Sequence, residues 1–576
     1  LSVESILANC PSGSLGAVLD HLPDPISFGT SGRRGLLKHL TQLEVFINAL
    51  AELEYLQSLS KSEGGILSGD EFYLANDLRP SSTRFDDEGK GELTQVVLKA
   101  ISVSGMYPVY LGPIPTPALT AFALAKARGS MMVTGSHIPF DRNGYKTNTA
   151  QGELLKVHEA PINQKVLEVR ERLYRESYAE SLFNQSGQFK IGHIELPPIN
   201  LAAEAAYIDR YVSFFGGLSL TGLRVAVYQH SAVGRDLLPK LLSLLGAEVI
   251  EMGRSETFVP IDTENMTQDR LNAIQHLLDE VIAVSGPVDA LVSTDGDSDR
   301  PMLLGVDPHT HKAEFFFGDL LGMVTAEFLK ADAVVVPITC NDAVDIGPLK
   351  SIVQKKTRIG SPFVISGMLE AQELGKKAVC GWEPNGGFLL GSDFERNGHL
   401  LKALPTRDAI LPIVSVLTSA KAHGLSLQAL FRRLPPRYVQ TGLLKDYPNS
   451  RSRAILVHFS PTGSSLNEYE FQEGKMGYLD VLSIPEELRV VEAIHRELSS
   501  LFSPARGFAE IVKINYTDGL RIYFANRNVV HIRPSGNADE LRIYALSDAQ
   551  AHADQLIEEV VKRDGVLYAI EKVIIA

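Results

Sequence analysis

Four short segments of this chain place reactive residue types at spacings that chemistry can use. The first is Thr134-Gly135-Ser136-His137-Ile138-Pro139, followed by Asn143-Gly144-Tyr145-Lys146. Ser136 ends an apolar run and opens a polar turn, so its hydroxyl can project from the carboxyl end of a sheet, where α/β folds hold ligands. A serine attacks or carries a group only with help from a base or a cation. Lys146 and the arginines of Phe28-Gly29-Thr30-Ser31-Gly32-Arg33-Arg34-Gly35 are the candidates for that help. The plainer alternative is a serine that caps a following helix.

The second segment, Asp295-Gly296-Asp297-Ser298-Asp299-Arg300, directly follows the strand-like run 289–294. Carboxylates at alternate positions can converge on one hard divalent cation. A calcium EF-hand loop is excluded, because Arg300 stands where that loop needs glycine and Val306 where it needs glutamate. Open coordination positions suit Mg2+ bound to a phosphate; a solvated acidic turn paired with Arg300 is the alternative. In the third segment, Gly381-Trp382-Glu383-Pro384-Asn385-Gly386-Gly387-Phe388, a carboxylate and an amide lie on a loop whose glycines, Gly386 among them, allow close approach. Such groups suit sugar hydroxyls, and Trp382 is either a stacking surface or a packing residue. The fourth, Arg533-Pro534-Ser535-Gly536-Asn537, offers a guanidinium, a hydroxyl, an amide and turn N–H groups, a cradle for a phosphate dianion or else a simple β-turn.

The elements that must position these segments alternate between apolar strands and amphipathic helices, the pattern of α/β layers. Residues 108–112, 117–129 and 131–136 read as strand, helix and strand, and 224–252 repeats that grammar, with Gly246 closing the helix. Residues 333–345, and less clearly 73–85, echo it, a weak internal repeat of related α/β domains. The prolines of 433–442 read as a linker; beyond them a helix, several short strands and a closing helix suggest an α+β domain. The expected organisation is 1–200 with the serine loop, 201–310 with the aspartate loop, 311–435 with the Glu383 loop and 436–576 with the Arg533 loop.

At 576 residues the chain exceeds what one core supports. A net charge of −14 argues against nucleic acid as a partner. No apolar run is long enough to span a bilayer. The three cysteines are far apart with no metal-binding spacing, which fits a reducing compartment, and the cytoplasm is the expected location.

Together these segments resemble the α-D-phosphohexomutase superfamily, with the likeness running in order along nearly the whole chain. The family's FGTxGxRG start is similar to Phe28–Gly35, its DxRPSS to Asp77–Ser82, its GxxPTPA to Gly112–Ala118, its serine loop to Thr134–Lys146, its DGDxDR to Asp295–Arg300 and its RPSG-T/N to Arg533–Asn537. The resemblance implies four domains around a central cleft, three related α/β domains and a C-terminal α+β domain. It implies that a phosphoryl group moves between C1 and C6 of a hexose, mannose or glucose first and glucosamine second, through a phosphoserine and a hexose 1,6-bisphosphate that also serves as activator. Ser136 would carry the group, with His137, Lys146, Arg34 and Arg300 around it. Asp295, Asp297 and Asp299, with the Ser136 phosphate, would ligate Mg2+. Glu383, Asn385 and Gly386 would read the sugar, and Arg533, Ser535, Gly536 and Asn537 would grip the phosphate not being transferred. The chain departs from the pattern at Ile138, usually Asn, and at Gly387, commonly His and a favoured acid/base group, which leaves Lys146 and Arg34 as proton-handling candidates. A phosphatase, or a sugar-phosphate-binding protein without turnover, is the rival expectation.

Overall fold

The computed structural model describes residues 2–29, 31–216, 219–461, 467–472, 475–477, 485–534 and 539–575. They divide into two compact units: residues 1–336, 352–355 and 360–433 in the first, and 337–351, 356–359 and 434–576 in the second.

The first unit holds three sheets built on one plan. In the first sheet the strands are β1 (Ser27–Phe28), β2 (Arg33–Leu36), β3 (Glu71–Asn76), β4 (Tyr107–Pro113), β5 (Ser130–Val133), β6 (Arg142–Thr149) and β7 (Gly152–Glu153). Their order is β1-β2-β6-β5-β3-β4, with β7 beside β6. Strands β4, β3 and β5 are parallel, and β6 then returns antiparallel to β5. The second sheet comprises β8 (Arg224–His230), β9 (Glu248–Arg254), β10 (Ala290–Thr294), β11 (Pro301–Val306) and β12 (Ala313–Phe316), in the order β12-β11-β10-β8-β9. Again β9, β8 and β10 are parallel and β11 turns back. The third comprises β13 (Ala333–Val335), β14 (Val379–Trp382), β15 (Phe388–Leu390) and β18 (Leu404–Asp408) in that order, beside a separate hairpin of β16 (Phe394–Arg396) and β17 (His399–Leu401). Here Val353 bridges parallel to Val334, β14 is parallel to β13 and β15 turns back. The repeat read weakly from the sequence is therefore a repeat of topology. In each sheet the loop from the last parallel strand to the returning strand carries one of the chemical segments.

Local sequence explains the scaffolding. The run 224–252 forms β8, a helix at Leu237–Leu244 and β9, as its pattern predicts. The helix Gln42–Ser58 starts where Thr41 Oγ1 accepts from the Glu44 N–H, and it is buried on nearly every side against the first sheet's core. Within that core Arg33 Nε donates to Glu52 at 2.6 Å, both buried, which anchors β2 and so the neighbouring Arg34.

The second unit's sheet runs β19-β25-β24-β23-β22-β20-β21, from β19 (Tyr438–Lys445), β20 (Glu468–Gln472), β21 (Lys475–Gly477), β22 (Ile511–Asn515), β23 (Leu520–Phe524), β24 (Val529–Pro534) and β25 (Glu540–Ser547). All pairings in it are antiparallel, in keeping with an α+β reading. One face packs on helices Asn449–Phe459, Pro485–Leu501, Gln550–Val561 and Val566–Ile575. The linker expected over 433–442 is shorter than that, because Tyr438 already pairs with Ser547. Among the described residues no helix is long and apolar enough to cross a membrane.

Candidate active site

Ser136 lies just past β5 in a turn, and no helix follows it, so it is not a helix cap. It is fully buried and its φ of 53° is in the left-handed region. That conformation costs a non-glycine residue roughly 1–2 kcal/mol and persists only where the surroundings fix it. Those surroundings come from the end of β3. The Asp77 carboxylate accepts from Thr134 Oγ1 at 2.8 Å and from the Gly135 N–H at 3.2 Å. The Arg79 guanidinium donates to the carbonyls of Ser136 (2.9 Å), Pro139 (2.7 Å), Arg142 (2.9 Å) and Ile138. A Cβ on Gly135 would meet Arg79 Nε at 2.5 Å, so glycine here is what lets the guanidinium reach the loop.

The Ser136 hydroxyl donates to Asp295 Oδ2 at 2.7 Å. Asp295, Asp297 and Asp299 are all buried, and one oxygen from each lies within 4.8 Å of the others. The loop after β10 is held by Asp295 Oδ1, which accepts from the N–H groups of Asp299 and Arg300. Ser298, at φ 57°, fixes it further by hydrogen bonds with Thr294 and Gly234. Asp297 Oδ1 and Asp299 Oδ1 are buried with no hydrogen-bond partner. A cation would satisfy such buried carboxylate oxygens, and this oxygen-only set fits a hard divalent ion such as Mg2+.

Positive charge surrounds the triad. Lys146 Nζ, from β6, lies 2.6 Å from both Asp297 Oδ2 and Asp299 Oδ2. Thr116 Oγ1 also donates to Asp297 Oδ2, at 2.5 Å. Arg300 Nε sits 3.7 Å from Asp299 and 3.9 Å from Asp295. Arg34 reaches the same cluster, with its Nε and Nη2 buried and without partners. Burial pushes the Arg34 guanidinium down to about 10, opposed by Asp297 and reinforced by Arg300 and Arg407. Burial and the charge of Asp297 raise Asp295 well above the usual carboxylate range. Burial would raise Asp299 as well, but Arg407, Lys146 and Arg300 hold it far below that range. His137 Nδ1 is 3.4 Å from Ser136 Oγ, and burial with the charge of Arg300 keeps its imidazole neutral at pH 7.

Glu383 and Asn385 occupy the corresponding loop between β14 and β15. Glu383 is buried and accepts from Arg407 Nη1 at 2.9 Å, while Arg407 Nε donates to Asp299 Oδ2 at 3.0 Å. Asn385 Oδ1 accepts from the Gly387 N–H at 2.9 Å, and Gly386 takes φ 86° in the same turn. Trp382 is buried in parallel contact with Phe388, a packing role instead of a sugar surface. Ser136, His137, Lys146, Arg34, Arg300, the three aspartates and Glu383 thus come together within the first unit. Arg533 is the last residue but one of β24 in the second unit, its Nε 3.9 Å from Asp518. Ser535, Gly536 and Asn537 lie outside the described residues.

Models of phosphoglucomutase/phosphomannomutase domains match three stretches: alpha/beta/alpha domain I at residues 25–172, alpha/beta/alpha domain III at 317–438 and the C-terminal domain at 482–563. A phosphomannomutase of Salmonella muenchen is 35% identical over 93% of this chain and 95% of its own length. Another, of Sinorhizobium fredii, is 33% identical over 92% of this chain and 97% of its own. A solved phosphoglucomutase/phosphomannomutase family protein of Burkholderia thailandensis superposes with a TM-score of 0.58 at 16% identity, covering 94% of this chain and 97% of that one.

The chain belongs to the phosphoglucomutase/phosphomannomutase family. As a member it is an isomerase, a phosphohexomutase with the multi-domain α/β fold of that family.

Within a phosphohexomutase site, sequence reasoning overlooked two arginines. Arg79 belongs to the Asp77–Ser82 motif, but only its guanidinium on the serine-loop carbonyls gives it a task. Arg407 carries no motif at all. The available signal was a charged Thr406-Arg407-Asp408 ending a strand directly before the apolar helix Ile410–His423, a place where a charge needs buried partners.

Proposed function

We propose that this phosphohexomutase interconverts the 1- and 6-phosphates of mannose and glucose through a phosphoryl group carried on Ser136. The observation that carries the reading is the buried Ser136 hydroxyl, 2.7 Å from Asp295, beside carboxylate oxygens that lack donors and arginine nitrogens that lack acceptors. Such a place accommodates a cation and a dianion together. Mannose comes first because the relatives at 35% and 33% identity are phosphomannomutases; glucose differs only at C2, away from the hydroxyls a single loop would read.

Asp295, Asp297 and Asp299 would hold Mg2+, which when bound neutralises charge on the phosphoryl oxygens. The chain's own groups do the rest. The phosphoryl group leaves Ser136 Oγ for the free hydroxyl of a hexose monophosphate: the serine P–O bond breaks, a sugar P–O bond forms, and the hydroxyl proton ends on Ser136 Oγ. The hexose 1,6-bisphosphate then turns and returns its other phosphoryl group to Ser136, so the same bisphosphate primes unphosphorylated enzyme. Arg34 and Arg300 stabilise charge on the transferring group, and Lys146 and the neutral His137 are the near groups able to move the proton. Glu383, Asn385 and Gly386 would orient the sugar; Arg533, with Ser535, Gly536 and Asn537, would hold the other phosphate. No nucleic acid or membrane partner is invoked, and the cytoplasm is the proposed setting. The domain limits 1–200, 201–310, 311–435 and 436–576 stand as the proposed division.

The test follows mannose, glucose and glucosamine 1-phosphates by phosphorus NMR with Mg2+ and a trace of bisphosphate. Conversion to 6-phosphates that Ser136→Ala abolishes, with folding intact, is the expected result; near-normal turnover by Ser136→Ala, or release of free phosphate only, overturns the reading.

A further inference from the structure

Gly387 stands in the sugar loop where the family commonly has a histidine, and its backbone is not in the left-handed region, so conformation does not demand a glycine there. Space does. A Cβ on residue 387 would lie 2.5 Å from Arg407 Cδ, 2.6 Å from its Cγ and 2.9 Å from its Cβ. The stem of Arg407 runs through the volume that a side chain at 387 would fill.

Arg407 reaches that place from the end of β18, which runs antiparallel to β15 with Asp408 opposite Phe388. It is 2% exposed. Its planar fork donates in two directions, Nε to Asp299 Oδ2 at 3.0 Å and Nη1 to Glu383 Oε2 at 2.9 Å. One guanidinium therefore ties a carboxylate of the sugar loop on the third sheet to a carboxylate of the aspartate loop on the second. Lysine, a point charge on a flexible stem, cannot reproduce a rigid two-way fork.

We infer that Arg407 is a positioning residue that fixes Glu383 against the aspartate loop, and that Gly387 lacks a side chain in order to admit it. Its effect on turnover rests on the mutase reading; the geometry does not. A guanidinium stays protonated at any working pH, so the group filling this space orients other residues and hands over no proton.

A double-mutant cycle over Gly387→Ala and Arg407→Ala tests the pair by urea midpoint and by kcat and KM. Gly387→Ala alone is expected to lower the midpoint, raise KM and cut kcat/KM by about ten-fold or more; in the Arg407→Ala background the same change should cost less than about two-fold and leave the midpoint unmoved. Arg407→Lys should fall between the parent and Arg407→Ala in KM. Should Arg407→Ala fail to fold alone, the comparison is made with Glu383→Gln added, which removes the carboxylate it strands. A Gly387→Ala variant indistinguishable from the parent, or equal penalties in both backgrounds, overturns the inference. Absence of turnover in the parent would defeat the mutase reading, while the urea midpoints would still decide the inference.

Discussion

Replacing Arg79 with alanine should cost both stability and chemistry, for reasons that can be sized. The guanidinium serves four carbonyls of the serine loop, and it is essentially unexposed. Asp77 would keep the N–H of residue 79, Ser82 Oγ, Thr134 Oγ1 and the Gly135 N–H as donors, but it would lose the buried counter-charge of Arg79 Nε, 3.3 Å from its Oδ2. The buried carbonyls lose their donor as well, and removing one member of a buried ion pair costs about 3–5 kcal/mol. For a domain of ordinary size each kcal/mol moves the melting temperature by about 2–4 °C, so a drop on the order of 10 °C is expected by calorimetry. Ser136 would then relax from its left-handed φ of 53°. A misplacement of about 1 Å at a reacting atom costs about a hundred-fold in rate. The loss should fall on kcat, since Arg79 is spent on backbone carbonyls and not on the sugar. Arg79→Lys keeps the charge but cannot span the same carbonyls, so it should recover part of the stability and little of the rate. An Arg79→Ala enzyme with parental melting temperature and kcat, or one altered only in KM, would refute this account.

Two further outcomes follow from the same geometry. Burial pushes His230 down to about 4 from 6.5, so between those values the unfolded chain binds a proton that the folded one does not. Stability is then full above 6.5 and falls as pH drops toward 4, by up to about 3 kcal/mol; His230→Gln should flatten the melting temperature across that window, and an unchanged pH slope would contradict it. Chelation should abolish turnover, and Mg2+ returned at about a hundred-fold over its Kd should stabilise the protein by about 2.7 kcal/mol. Asp297→Asn should lose most of that gain in a thermal melt, and an equal gain in the variant would argue against the aspartate triad as the metal site.

Where local pattern carried the information, the sequence was legible. The strand, helix and strand of 224–252 appear within a residue or two of their pattern; in the triplet read over 108–136 the starts agree to a residue, but the helix stops at Ala125 instead of 129 and the second strand at Val133 instead of 136. Strand β19 escaped because it lies at a sheet edge with only one of its residues buried, so it has no apolar alternation to read. Ser136 and the three aspartates were visible because each motif is local in sequence. Arg407 was not, because its meaning depends on Asp299, 108 residues away, and on the empty side of Gly387. Long-range charge complementarity leaves no period in the chain.

The charges of the site constrain how it must fill. Lys146, Arg34, Arg300 and Arg407 stand against Asp295, Asp297, Asp299 and Glu383, an even balance when all four carboxylates are ionised and His137 is neutral. The cations already press on one another, since Arg300 and Arg407 each depress Arg34. A divalent cation bound alone would leave an excess of about two positive charges, in a buried setting where like charges repel strongly. A phosphoryl dianion bound alone would leave an excess of about two negative charges beside the buried carboxylates. The two together restore the original balance, and the same argument holds whether the dianion sits on Ser136 or arrives on a sugar. Metal and phosphoryl group should therefore bind with positive coupling, each tightening the other by the same factor. A site that balances with both bound and with neither would favour a phosphorylated, metal-loaded form over either half-filled one, the state the proposed mechanism needs between turnovers.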